Sequence, residues 1–316
     1  MTPRRSLPFL LAAPALAQPA FPDRPIRFIV PFPPGGGTDV VSRELAARIQ
    51  ALLGWTIVID NRPGAGGNIG LDAVAKSAPD GYVVGLGQTA NLAINPALYP
   101  TMPFDPLVDL TLISTVAQQP LVLVTAARAP FADLAAVVAA ARRAPLTAGH
   151  PGNGTVGHLT GELFARAARV EITAVPYRGA GGVLADLLAR RIDLYFANPP
   201  AVRGLIDGGE LRPLAVSSPG RAAAFPAVPS FVEAGHPGFV AQNWTGLVAP
   251  ARLPPPLLAR WNDAVREALA QPEMRRHLAQ DASEPMGGPP EAFRSFLEAE
   301  HARWGRVVRE ARIELS

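Results

Sequence analysis

Val30-Pro31-Phe32-Pro33-Pro34-Gly35-Gly36-Gly37-Thr38-Asp39 closes an apolar, strand-like run that begins at Ile26, and it opens a helix-like one. Much later, Val175-Pro176-Tyr177-Arg178-Gly179-Ala180-Gly181-Gly182 repeats the plan. Each reads as strand, Val-Pro-aromatic, glycine-rich turn, then amphipathic run. Glycines let backbone amides come close to a ligand, and a helix start presents unpaired N–H groups with a partial positive charge. Two such anion cradles, one in each half, can close on one carboxylate-bearing molecule. That is the arrangement of a clamshell. The same turns also serve as plain βα connections in a sheet protein, and the turns alone do not separate the two readings.

Outward from these turns the chain alternates strands and helices. Ile26 to Val30, Thr56 to Ile59 and Val83 to Leu86 read as strands. The 38–53 segment reads as a helix with Val40, Val41, Leu45, Ile49 and Leu52 on its buried side. Leu112 to Val116 and Leu121 to Val124 are further strand-like runs. A second unit follows, with helices at 134–143, 155–168 and 183–190 and strands at 146–149, 170–175, 192–196 and 211–216. Such βαβ alternation predicts parallel strands packed by helices. After a Trp-containing strand at Trp244 to Val248, two late helices (257–270 and 291–309) have no sheet of their own. They are expected to return to the first unit. The predicted division is residues 21–119 with 241–316 in one domain and 120–240 in the other.

At 316 residues the chain can bury two cores, and 48% hydrophobic with 17% charged residues fits a globular protein. Thr2-Pro3-Arg4-Arg5, the apolar stretch Leu7 to Leu16, and Ala15-Leu16-Ala17 read as an export signal, residues 1–17, cleaved near Ala17 into the periplasm. Removing Arg4 and Arg5 takes two charges from the formal +3, so the composition gives no reason to expect a nucleic-acid partner. With no cysteine, disulfides, thiol nucleophiles and thiolate metal sites are excluded. The five histidines are scattered and predict no metal centre.

Gly152-Asn153-Gly154-Thr155-Val156-Gly157 matches G-x-G-x-x-G, but the next strand ends at Tyr177-Arg178 without an acidic residue placed for a ribose. Its remaining content is a helix start capped by Asn153 or Thr155, with His158 close by as an anion donor or a structural histidine. Asp39, in the first turn of a helix, has a sufficient role as a partner of the helix dipole, although it also lies near the cleft. Trp244 reads as either core or cleft wall.

Taken in order, further segments join these motifs. They are Asn61-Arg62-Pro63-Gly64-Ala65-Gly66-Gly67-Asn68-Ile69-Gly70, Ala78-Pro79-Asp80-Gly81-Tyr82, Ile94-Asn95-Pro96-Ala97-Leu98-Tyr99, Pro176-Tyr177-Arg178-Gly179, Asp186-Leu187-Leu188 and Ala302-Arg303-Trp304. The set resembles the extracytoplasmic solute receptors of tripartite tricarboxylate transporters, the TctC or Bug family, over nearly the whole mature chain. The resemblance implies an α/β, two-domain periplasmic binding protein of type II, Venus-flytrap form, with a hinged cleft, no enzymatic activity and no cofactor. It implies a small mono- or dicarboxylic acid as ligand, integral-membrane permease subunits as partners, and a monomer. Carried over, the ligand residues are Phe32, Pro34, Gly35, Gly36, Thr38 and Asp39 from the first loop, and Tyr177, Gly179, Ala180 and Gly181 from the second. Thr89, Ala90, Asn153, Thr155, His158 and Asn198 would line the same cleft. The chain departs from the family pattern at Ala197, where an acidic residue is frequent, and at Val156-Gly157, where polar residues are frequent. Both changes make the expected pocket less polar. Two other function classes share parts of this pattern. One is a ligand-sensing subunit of a signalling receptor, and the other is a nucleotide-dependent enzyme using the Gly152–Gly157 loop.

Overall fold

The computed structural model describes residues 21–177, 179–280 and 282–311; the predicted export signal lies outside them. The chain opens with β1 (Ile26–Val30), α1 (Gly37–Leu53), β2 (Ile57–Asn61), α2 (Asn68–Ala75) and β3 (Val83–Gln88). A π-helical segment, Ala90–Ile94, then runs into the short α3 (Asn95–Leu98) and β4 (Leu110–Pro120). The second unit comprises β5 (Val122–Ala126), α4 (Leu134–Ala141), β6 (Leu146–His150), α5 (Val156–Ala168) and β7 (Ile172–Pro176). It continues through α6 (Ala180–Leu188), β8 (Leu194–Ala197), α7 (Pro199–Asp207) and β9 (Leu211–Val216). The chain returns as β10 (Gln242–Pro250), α8 (Pro255–Ala270), α9 (Pro272–Gln280), β11 (Glu284–Pro285) and α10 (Pro290–Ala311).

Two mixed sheets result. One has six strands in the order β11-β4-β10-β3-β1-β2, and the other has five in the order β7-β6-β8-β5-β9. Strand alternation sends neighbouring residues to opposite faces, and each face meets a different set of helices. Phe28 and Leu247 pack with Leu45 of α1, Trp261 of α8 and Met274 of α9. Ile29 and Val248 pack with Leu71 of α2 and with Phe293 and Trp304 of α10. The late helices therefore cover both faces of the first sheet. In the second sheet, Leu194 and Phe196 face the cluster around Phe164 and Phe231, while Tyr195 and Ala197 face the one around Val183 and Val202.

The buried stripe of α1 differs from the sequence expectation. It starts earlier, at Thr38, Asp39 and Ser42, and ends at Ile49. Leu52 is 39% exposed and Val40 only half-buried. Polar residues enter the stripe because the first turn abuts the turn after β1 rather than the core. Trp244 is core: it is 1% exposed and packs edge-on against Phe293 and Phe296.

Strand register fixes where the connections lie. β1 runs parallel to β3, and β10 pairs antiparallel with β3, with Thr245 opposite Gln88. The start of β10 thus lies beside the carboxyl end of β3, and Gln242 lies opposite Pro120 at the end of β4. In the second sheet the start of β5 meets the ends of β8 and β9, since Val122 lies opposite both Ala197 and Val216. Because β6 is parallel to β7 and β8, all three end on that same edge. The two chain crossings therefore join the carboxyl edge of one parallel set to the carboxyl edge of the other. One buried residue ties both crossings together. The Ser217 N–H donates to the Leu121 carbonyl (2.9 Å), and the Ser217 carbonyl accepts from Ala241 (2.9 Å). Its Oγ accepts from the Leu121 N–H (2.7 Å) and donates to the Ala241 carbonyl.

Candidate functional site

The turn after β1 delivers the chain to α1 through Gly36, which occupies the N-cap position with φ −77° and ψ 162° and no side-chain cap. The first-turn amides of α1 are thus left without a side-chain acceptor, and the aligned peptide dipoles give that end a partial positive charge. The turn is held from below. The Asp39 carboxylate accepts from the Gly35 N–H (2.9 Å), Arg43 Nε (2.8 Å) and Asn61 Nδ2 (2.8 Å). Asn61 Nδ2 also donates to the Phe32 carbonyl (3.0 Å). Burial alone would raise the Asp39 carboxyl, but the bonds from Arg43, Gly35 and Asn61 hold it below the usual carboxylate value. With its side chain 3% exposed, Asp39 braces the loop and faces away from solvent. Thr38 Oγ1 donates to Gln88 Oε1 (2.9 Å), linking the turn to the end of β3.

Behind this turn lies the second glycine loop of the first unit. Gly67 has φ +94°, and a Cβ there would sit 2.4 Å from Asn91 Nδ2 and 3.0 Å from the Phe32 ring. Only glycine fits both the backbone and the space. Asn91 is fully buried and accepts from the Gln88 N–H (2.8 Å). Thr89 is also fully buried; its Oγ1 accepts from the Trp244 N–H (2.8 Å), so its hydroxyl serves β10. Ala90 opens the π-helix, again without a side-chain cap.

In the second unit, Gly179 is the N-cap of α6 at φ +98°, with no side-chain cap, and Ala180 and Gly181 form its first turn. The Tyr177 hydroxyl donates to Asp186 (2.8 Å), which also takes Arg191 (3.0 Å). Arg178 lies outside the described residues. The turn before α5 is closed differently. Thr155 Oγ1 donates to the Gly152 carbonyl (2.8 Å) and accepts from the His158 N–H (3.4 Å). His158 Nδ1 accepts from the Gly154 N–H (3.3 Å), and its ring stacks on His150 with centroids 4.0 Å apart. Burial, aided by the neighbouring His150, pushes the His158 pKa down to about 4, so the ring is neutral and bound into its own loop. Asn153 sits half-buried at the tip of this turn. Asn198 is exposed at the start of α7, where Pro199 and Pro200 supply no N–H.

The predicted site residues thus fall at or beside the starts of α1, the π-helix, α5, α6 and α7, all on the two carboxyl edges joined by the crossings. Within that set the side chains of Asp39, Thr155, Tyr177 and His158 are engaged in or beside their own turns and Thr89 serves β10, while the first-turn amides of α1 and α6 have no side-chain acceptor and the Gly179 N–H donates to the Pro151 carbonyl (3.1 Å). Gln88, Asn61 and Asn91 brace the first turn and were not among the predicted residues. Asn61 had a signal, since it begins the quoted glycine motif; Gln88 and Asn91 had none. Two of the three G-x-G-x-x-G glycines have packing reasons: a Cβ at Gly157 would lie 2.5 Å from the Phe196 carbonyl, and one at Gly154 2.2 Å from Leu98.

Two mixed α/β sheets joined by paired crossings, with glycine-capped helix starts on the facing edges, define the two-domain periplasmic binding protein fold. Solved structures of that fold align over most of the chain. The Rhodopseudomonas palustris protein Rpa4515 with adipate matches with TM-score 0.85 and 37% identity, covering 94% of this chain and 100% of that one. MatC from the same organism, with bound malate, matches with TM-score 0.79 and 30% identity, covering 91% and 100%. In sequence, the protein BugT of Bordetella pertussis is 40% identical over 308 residues, 96% of this chain and 94% of the relative. The family model "Tripartite tricarboxylate transporter family receptor" (TctC) matches residues 41–313, and the chain belongs to that family. It is therefore a periplasmic solute-binding receptor in kind and not an enzyme, which removes the nucleotide-dependent alternative. Among the described residues, no helix is long and apolar enough to cross a membrane.

Proposed function

We propose that the protein captures a small mono- or dicarboxylic acid without an amine and presents it to the membrane subunits of a tripartite tricarboxylate-type transporter. One observation carries this reading. The helices α1 and α6 start at glycines with no side-chain cap, whereas α4 and α5 are closed by Asp133 and Thr155. Other helices also lack a side-chain cap, α2 among them, but Gly67 at its start is buried, whereas Gly36 is exposed and Gly179 half-buried, so these two starts leave first-turn donors within reach of an external carboxylate. One lobe is residues 21–119 with 241–316 and the other is 120–240, with the ligand gripped from both sides. Phe32 to Thr38 and the π-helix start at Ala90 form one wall; Asn153, Tyr177, Gly179 to Gly181 and Asn198 form the other. The carboxylates nearest the two turns, Asp39 and Asp186, are already bound, so no partner is provided for an ammonium. The adipate and malate held by the two relatives are ligands of this chemical kind.

Native mass spectrometry of protein recovered from the periplasm identifies what it carries, and calorimetry with adipate, malate, succinate and benzoate then ranks the acids. A folded protein that retains no acid and binds none of this panel would reject the proposal.

A further inference from the structure

The Ala302-Arg303-Trp304 segment contributes nothing to the cradles, yet the turn of α10 that contains it is bonded in an unusual way. Glu300 is buried, its side chain 9% exposed. Its Oε2 accepts from the indole N–H of both Trp244 and Trp304, each at 2.8 Å. Its Oε1 accepts from Arg303 Nη1 at 3.3 Å. Arg303 Nη2 donates to the carbonyl of Val240, and its guanidinium lies over the Trp304 ring, 4.9 Å from the centroid. Next to it, His301 Nε2 donates to the Leu92 carbonyl at 2.5 Å.

The partners of this turn are what matter. Val240 immediately precedes Ala241, which is clasped by Ser217 in the return crossing. Trp244 follows near the start of β10, and its own N–H donates to Thr89 Oγ1 at the start of the π-helix. Leu92 lies inside that π-helix. One turn of α10 is thus bonded to the crossing at Val240, to the start of β10 at Trp244 and to the cleft-edge helix at Leu92. Packing alone does not ask for a buried carboxylate, since burying a charge is costly unless it is fully hydrogen-bonded. Apolar side chains would fill the same space; they would not hold a carbonyl of the crossing in a fixed direction. π-helical turns are themselves strained insertions that recur at functional sites.

We infer that Glu300 and Arg303 are positioning residues for ligand capture. They lock the return crossing to the start of the π-helix, so the relative placement of the lobes and the geometry of the first wall change together. This rests on the carboxylate-binding reading.

Two variants separate the contacts. Arg303→Met removes the bonds to Val240 and Glu300 while keeping an aliphatic stem over Trp304. Glu300→Gln keeps an oxygen for the indoles and removes the charge facing Arg303, and being isosteric it carries the test if Arg303→Met does not fold. Hydrogen exchange without ligand reads the coupling directly. Exchange in residues 90–94 and 240–244 should quicken together, by about tenfold, the worth of one charge-assisted bond, while β1 and β2 stay unchanged. Calorimetry with adipate as probe should show about tenfold weaker binding in both variants. Acceleration confined to 240–244 overturns the inference, as does adipate affinity within about twofold of wild type. If the wild-type protein binds no carboxylate at all, the functional reading falls, and the ligand-free exchange still decides the coupling.

Discussion

Gly36→Val isolates the contribution of the first cradle from that of the fold. The backbone there, φ −77° and ψ 162°, is ordinary extended geometry that a β-branched residue adopts freely. A Cβ would meet only the Pro33 carbonyl, at 3.6 Å, an unstrained contact. The cost to stability should stay within about 0.5 kcal/mol, as for other surface changes. Binding should respond very differently. The branched side chain stands over the first-turn amides of α1 and keeps a carboxylate from reaching them. Losing two charge-assisted hydrogen bonds at the low end of their range, ~1.5 kcal/mol each, amounts to ~3 kcal/mol. That is roughly a hundredfold in Kd. Calorimetry with adipate, paired with a thermal melt, measures both effects, and Gly36→Ala serves as a control with the same backbone restriction and little bulk. If the valine variant melts like wild type and binds adipate within about threefold of it, the amides of α1 do not hold the ligand and the reasoning fails. The equivalent change at Gly179 is a poorer test, because φ +98° strains any side chain before the ligand is considered.

Other outcomes follow from the same geometry. In a thermal-shift panel, succinate and glutarate should stabilise more than aspartate and glutamate, because a buried ammonium without a partner costs several kcal/mol; the reverse order would mean that Asp39 leaves Arg43 and Asn61 for the ligand. Thr155→Ala should lower stability by about 1 kcal/mol through loss of the α5 cap, and a chemical-denaturation midpoint equal to wild type would show that the cap bond contributes nothing. His158 has its folded pKa depressed to about 4 from 6.5, so the unfolded chain takes up the proton first. The stability it contributes is full above about 6.5 and is lost as pH falls towards 4. His158→Gln should flatten the stability profile across that window, and an unchanged slope would argue that the ring is not buried neutral. Ser217→Ala leaves the Leu121 N–H without its acceptor and should cost ~1–3 kcal/mol by urea denaturation.

Legibility in the sequence followed the physics of each element. Strands buried on both faces, such as Ile26–Val30, announce themselves as apolar runs between turn residues. The glycine-rich helix starts were legible too, since runs such as Gly35-Gly36-Gly37 and Gly179-Ala180-Gly181-Gly182 stand between a strand-like and a helix-like stretch. The segment after β3 was not. Ala90 to Asn95 is uniformly buried and short, so it shows no 3.6-residue period, and the π-helix within it is set by tertiary contacts such as Leu92 to His301. α7 was missed because Pro199-Pro200 reads as a break, whereas proline fits the first turn of a helix, where no N–H is needed. At the site, residue types pointed to turns that the fold places on the two carboxyl edges, and they did not show what each side chain bonds to. Asp39, Thr155 and His158 carry suitable polar groups, and only the three-dimensional partners reveal that these are spent within the loops.

Both strands that pass between the lobes are fastened to one hydroxyl-bearing residue, and this constrains their motion. A bend at Leu121 alone would pull its amide from Ser217, and a bend at Ala241 alone would do the same from the other side. The two strands can only swing as one axle. A molecule turning on a single axle has one coordinate between wide and shut, with no sideways splay in which one strand yields first. If the lobes close on a ligand as proposed, wide and shut are then the two outlines the molecule can present.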